Sequence, residues 1–180
     1  AVTAFQDFDL YGTHGTYGTY QMSAGIGDRV GNFSWRASLD HLDTNSQPLA
    51  FVTLAKSNAA PSGSAVTASG AFSGVNRLDA PIVMIGAGGF EHQIQDTDTV
   101  KLAYDINPAW QVAYTASLFH QDDDAKAQSY LKDGTGNPVY SGSVNIDGAA
   151  YSISNSAFSN NVYHWGQTQL AQALSLKSDG

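Results

Sequence analysis

Along "VKLAYDINPAWQVAYTASL", Val100 to Leu118, apolar and polar residues take turns. Val100, Leu102, Tyr104 and Ile106 share one parity, and Thr99, Lys101, Ala103 and Asp105 hold the other. After Asn107-Pro108-Ala109, the residues Trp110, Val112, Tyr114, Ala116 and Leu118 alternate with Gln111, Thr115 and Ser117. A side-chain period of two belongs to a β-strand, so this stretch predicts a hairpin with one oily face and one polar face. The same partition recurs in Tyr20, Met22, Ala24 and Ile26 against Thr19, Gln21, Ser23 and Gly25. It recurs again in Phe33, Trp35, Ala37 and Leu39 against Ser34, Arg36, Ser38 and Asp40. Phe8 and Leu10 alternate with Asp7, Asp9 and Tyr11. Leu170, Leu174 and Leu176 alternate with Ala171, Ala173 and Ser175, with Gln172 as the exception. The pattern predicts six strands, at 4–11, 16–26, 32–43, 97–106, 110–120 and 163–177.

Soluble strands average about five or six residues, whereas a strand crossing a bilayer at a tilt needs about 9–11. Most of the predicted strands are of the second kind. Their connections alternate as well. Gly27-Asp28-Arg29-Val30-Gly31, Asn107-Pro108-Ala109 and Ser178-Asp179-Gly180 read as short turns, and Gly12-Thr13-His14-Gly15 as a short link. Between them lie two long polar segments, 44–96 and 121–161, expected to be loops. Short turns at one end and long loops at the other is the layout of an outer-membrane β-barrel. Phe33, Trp35, Tyr104 and Trp110 flank the short turns on the apolar parity, where barrels carry aromatic girdles at headgroup level. Asp7, Asp9, Arg36, Asp40, Lys101 and Asp105 sit on the polar parity, which a hydrated lumen would solvate.

Composition sharpens this picture. Charged residues make up 13% of the 180-residue chain, against roughly 25% in an ordinary soluble domain. Acidic residues outnumber basic ones 16 to 8, which repels a phosphate backbone and sets nucleic-acid binding aside. The absence of Cys excludes disulfides, thiolate metal sites and a Cys nucleophile. No run approaches 18 apolar residues; the most apolar, Ala80 to Phe90, is broken by glycines, so a transmembrane helix is excluded.

The stretch "LYGTHGTYGTYQMSAGIGDRVGNFSWRASLDHLDTN" resembles the start of the barrel domain of TonB-dependent outer-membrane receptors. "VKLAYDINPAWQVAYTASLF", with its Asp-x-Asn-Pro-x-Trp turn, is similar to a later hairpin in that family. The resemblance covers about half the chain and none of the predicted loops. It implies an all-β, antiparallel transmembrane β-barrel of 22 strands, of which this chain would supply about six from the N-terminal part. It also implies a plug domain that this chain lacks, and cargo captured by extracellular loops and the plug. The partners implied are outer-membrane lipid of a Gram-negative cell, the TonB complex acting through the absent plug, and a small ligand. An iron chelate such as a ferric siderophore is expected, with cobalamin, haem or an oligosaccharide as alternatives. Six strands cannot close around a lumen, and an open sheet edge in lipid leaves backbone groups unpaired, so the chain is expected to be a fragment.

Catalytic chemistry finds little footing, and no enzyme activity, cofactor or metal is expected. Asp122-Asp123-Asp124 could offer carboxylates to a hard cation, but the run lacks the spaced Asp-x-Asp-x-Asp-Gly pattern of a calcium loop. Gly86-Ala87-Gly88-Gly89 lacks the full dinucleotide fingerprint. His14, His41, His92, His120 and His164 form no i, i+4 pair. Ser62-Gly63-Ser64 and Ser141-Gly142-Ser143 read as flexible loop rather than a nucleophile elbow. Tyr130, Tyr140, Tyr151 and Phe158, in the second long segment, either stack on a ligand or pack the loops together. Two rival readings stand beside the receptor: a plug-free porin, and a secreted soluble β-rich binding module.

Overall fold

A computed structural model describes residues 5–14 and 18–178, with side chains described from Leu10 except at position 14. The chain is all-β, and no α-helix occurs among the described residues. Among the described residues, eleven strands run β1 (Phe5–His14), β2 (Tyr20–Val30), β3 (Phe33–Asn45), β4 (Ala50–Ala55), β5 (Val66–Ala68), β6 (Phe72–Val75), β7 (Pro81–Asn107), β8 (Trp110–Ser129), β9 (Gly142–Ile146), β10 (Ala149–Ile153) and β11 (Tyr163–Ser178). Contacts divide them into two units, one of residues 1–45, 92–123 and 165–180 and the other of 46–91 and 124–164.

In the first unit the strand order is β1-β2-β3-β7-β8-β11, so β1 and β11 are open edges and the sheet is not closed. The β1–β2, β2–β3 and β3–β7 pairings are antiparallel and keep the two parities of the sequence on two faces. Ile26 stands beside Ala37, and Ala37 beside Val100; Trp35 stands beside Leu102, and Phe33 beside Tyr104. Many side chains of that parity are exposed, Leu10 at 66%, Leu39 at 57% and Leu174 at 76%, while Trp35 and Ala37 are half-buried. The polar face is closely packed at Gly25 and Gly27, while Gln21, Arg29, Asp40 and Lys101 on the same parity are exposed. Gly25 and Gly27 are buried there, and a Cβ on Gly27 would come within 2.8 Å of the Trp35 carbonyl. A soluble sheet would be arranged the other way round.

The polar face is stitched by side-chain hydrogen bonds. Ser23 donates to Asp40, Arg29 pairs with Asp105, Gln111 donates to Asp105 at 2.7 Å, and Thr99 and Ser117 share a bond of 3.0 Å. The apolar parity is not free of charge along its whole length. Beyond Leu39 and Val100 it carries Asp98, Asp96, His41, Asp43 and His92. The oily band therefore ends within the strands.

The second unit replaces the expected loops. The segments 44–96 and 121–161 contain β4, β5, β6, β9, β10 and long extensions of β7 and β8. These elements enclose a core of Ala68, Val83, Ile85, Leu131, Val144, Ile146, Ile153 and Phe158. From 82 to 90 β7 is apolar on both parities, and residues 85–89 are all buried, which is how a strand covered on both faces reads. β4 and β6 each pair antiparallel with this part of β7, and β10-β9-β5 forms a separate sheet whose β5–β9 pairing is parallel. Two smaller expectations also shift. β2 continues to Val30, so the short turn is Gly31-Asn32 rather than 27–31, and β1 extends to His14 through the proposed link, whose Gly15 lies outside the described residues.

Candidate functional site

The cavity best suited to a ligand lies in the second unit. Alternation along β4 sends Val52 and Leu54 against the core and leaves Phe51 and Thr53 on the opposite side. On β7, Val83 and Ile85 point into the core, while Met84 is placed beside Thr53 on one neighbour and Phe72 on the other. The register slips between Val52 and Thr53, a bulge that re-aims the side chains next to it. β8 then brings Gln128 and Tyr130 alongside, with the Tyr130 amide donating to the Ile85 carbonyl at 2.9 Å.

The result is a groove of about 660 Å³ lined by Phe51, Phe72, Met84, Tyr130, Gln128 and Lys132, with Ser69, Gly70 and Ser129. Phe51 and Phe72 are each 58% exposed. Phe72 meets Tyr130 edge-on, with centroids 5.8 Å apart and planes at 87°. Gly70 forms a flush wall: its φ is +103°, and a Cβ would lie 2.3 Å from the Tyr130 carbonyl oxygen. Lys132 is fixed through its backbone, which exchanges two hydrogen bonds with Ser69 at 2.9 and 3.0 Å. Its ammonium makes no ion pair among the described residues. Ser129 is occupied internally, donating to the Val139 carbonyl. Apolar ring faces beside one cation can hold a flat ligand and orient an anionic group.

A second cavity of about 360 Å³ sits at the turn between β7 and β8, lined by Asn32, Asp105, Trp110, Gln111 and Lys177 among others. Its principal carboxylate, Asp105, is already held by Arg29 and Gln111. That leaves it less to offer a ligand.

The residues singled out in the sequence are scattered. Asp122, Asp123 and Asp124 alternate along β8 and do not converge. Asp123 is 4% exposed, accepts from Gln121 at 2.7 Å and leaves Oδ1 without a hydrogen-bond partner, while Asp124 pairs with Lys126 at 2.6 Å. No group of three His, Asp or Glu able to hold a metal occurs among the described residues. His41 bonds Asp96, His92 bonds Asp43 and His120 bonds Thr168; His164 lies on β11, and the side chain of His14 falls outside the described residues. Gly86 and Gly88 belong to β7, where their missing side chains let other backbone pass: Cβ atoms would lie 2.4 Å from the Gln128 carbonyl and 2.7 Å from that of Asn160.

Ser62 and Ser64 bond each other at 3.3 Å, and Gly142, with φ of +98°, opens β9. Of the four aromatics, Phe158 joins the core, Tyr140 packs edge-on against it at 5.0 Å, and Tyr151 accepts from the Ser57 amide. Tyr130 alone reaches the groove. Phe51, Phe72, Met84 and Lys132 come from separate segments with no spacing to announce them.

Comparison with protein families, curated proteins and solved structures finds no match for this chain.

Proposed function

We propose that this chain is part of an outer-membrane receptor, with the first unit's apolar face in lipid and the second unit exposed to capture a small ligand. The observation that carries the reading is the inverted sheet: many of its apolar side chains are exposed, while its polar side is closely packed at Gly25 and Gly27 and hydrogen-bonded. Monomers in water rarely expose contiguous apolar patches beyond a few hundred Å², and burying each large apolar side chain is worth about 1.5–3 kcal/mol. Lipid supplies that burial and leaves the polar face to a hydrated interior. Open edges at β1 and β11 suit a sheet continued by further strands. TonB-dependent import of a ferric siderophore is the specific form of this proposal, supported by the phrases around 10–45 and 100–119.

A soluble β-rich module is the second reading, favoured by the second unit's own buried core. Tryptophan quenching decides between them. In a Trp165→Phe background, Trp35 and Trp110 report from the apolar face near the short turns. Brominated lipid should quench both in reconstituted vesicles. A chain that stays folded in buffer and is not quenched by lipid would overturn the membrane reading.

A further inference from the structure

We propose that the groove between β4, β6 and the end of β8 binds a small flat aromatic acid, its ring against Phe51, Phe72 and Tyr130 and its anionic group toward Lys132. The walls all belong to the second unit, so the site goes beyond the membrane reading and would operate equally in a soluble protein.

Three observations converge on this ligand chemistry. The volume of about 660 Å³ lies within the about 300–1,000 Å³ usual for small-molecule sites. Two phenylalanines with more than half their surface in solvent flank a concave surface instead of joining the adjacent core, so the groove holds ring area open to an incoming group. Phe72 and Tyr130 already meet edge to face, which presents one ring plane beside the edge of another, the arrangement a further aromatic ring extends most readily.

Charge then selects among flat ligands. Lys132 is the one charged residue of the lining. Its main chain is pinned to Ser69 on both sides, so its stem leaves a fixed point, and its ammonium is uncommitted among the described residues. No carboxylate lines the groove to compete for that ammonium or repel an anion. Gln128 adds an amide that can donate to an oxygen or accept from a hydroxyl. Gly70 keeps the wall beside Tyr130 flat.

Fluorine NMR of a fluoronaphthoate, run beside the matching neutral fluoronaphthyl alcohol, tests the site on the full chain at constant deuterated detergent. Both probes should broaden saturably, the acid binding more tightly. Phe72→Ala should weaken both by about three- to tenfold; because Phe72 is exposed, the fold should survive, as amide dispersion will report. Lys132→Gln should weaken the acid by about two- to fivefold and leave the alcohol unchanged. Failure to saturate, indifference to both substitutions, or equal loss of acid and alcohol in Lys132→Gln would each overturn the proposal. Absence of quenching by brominated lipid would leave it standing.

Discussion

His41 and Asp96 stand directly opposite each other on β3 and β7, with Nδ1 donating to Oδ1 at 2.6 Å, and His92 reaches Asp43 at 2.8 Å on the same face. Tyr20 leans over His41, their rings 6.3 Å apart and tilted by 55°. These side chains share a parity with Leu39, Val100 and Leu102. They are the polar border of the oily band, and in the receptor reading proposed above the membrane surface would lie along them.

The border can be mapped with nitroxide labels, since the chain has no native cysteine. In vesicles, Val100→Cys should be more accessible to dissolved oxygen and His92→Cys to a nickel chelate. Equal accessibility at the two positions would place both in one medium and remove the border.

Arginine substitutions separate lipid from water on the two faces. Leu102→Arg should lower folding stability in vesicles if that face meets the bilayer, by less than the about 2–4 kcal/mol of a midplane arginine, because Leu102 stands beside Trp35 toward the short-turn rim. In water such a partly exposed position would change stability by only about 0.5 kcal/mol. Thr115→Arg and Ser38→Arg, on the polar face, should be the milder changes, and Trp35→Asp should destabilise in the same direction as Leu102→Arg. Urea midpoints for the four variants measure this; equal losses on both faces would refute the assignment.

Gly86→Ala should destabilise the second unit by about 1–3 kcal/mol, because its Cβ would press on the Gln128 carbonyl and on the Phe158 ring, 2.5 Å away. Gly63, with nothing within 4 Å, is the control, and its alanine variant should stay within about 0.5 kcal/mol. Limited proteolysis within 46–91 reads the difference.

Asp133 controls a turn that follows β8. The Thr135 hydroxyl, then the amides of Thr135 and Asn137, donate to its carboxylate and hold its pKa below the ordinary carboxylate value. A depressed folded pKa means that its contribution is present above the unfolded pKa and fades as pH falls through the folded one. The Asp133 carboxyl signal should therefore titrate below the ordinary aspartate value, with exchange of the Thr135 and Asn137 amides rising in the same range. Titration at or above that value would contradict the hydrogen bonding.

Strands with one apolar and one polar side were legible because each residue's parity tells its side. β2 and β3 were found to within a few residues on that signal, and Trp35 and Leu102 fell on the face expected. The same signal fails for Ile82 to Phe90, where both parities are apolar because both are covered. It fails also where the strands are short. β9 and β10 did carry a usable mark: Asp147-Gly148, with φ of 51° and 82°, sits between Ile146 and Ala149, the Asp-Gly signature of a two-residue hairpin. The groove left no comparable trace, because Phe51, Phe72, Met84 and Tyr130 meet only through pairings between distant segments.

That Asp147-Gly148 turn also makes one part of the second unit's topology local. Its two residues reverse direction without waiting for any remote segment, so β9 and β10 can zip within about 1–10 μs. β5 cannot join until Val66 finds Val144 far along the chain, and closing so wide a loop costs entropy before its contacts repay it. The β9–β10 hairpin is thus a local unit, and Ala68 of β5 reaches the core beside Ile146 and Ile153 only across a long stretch of chain.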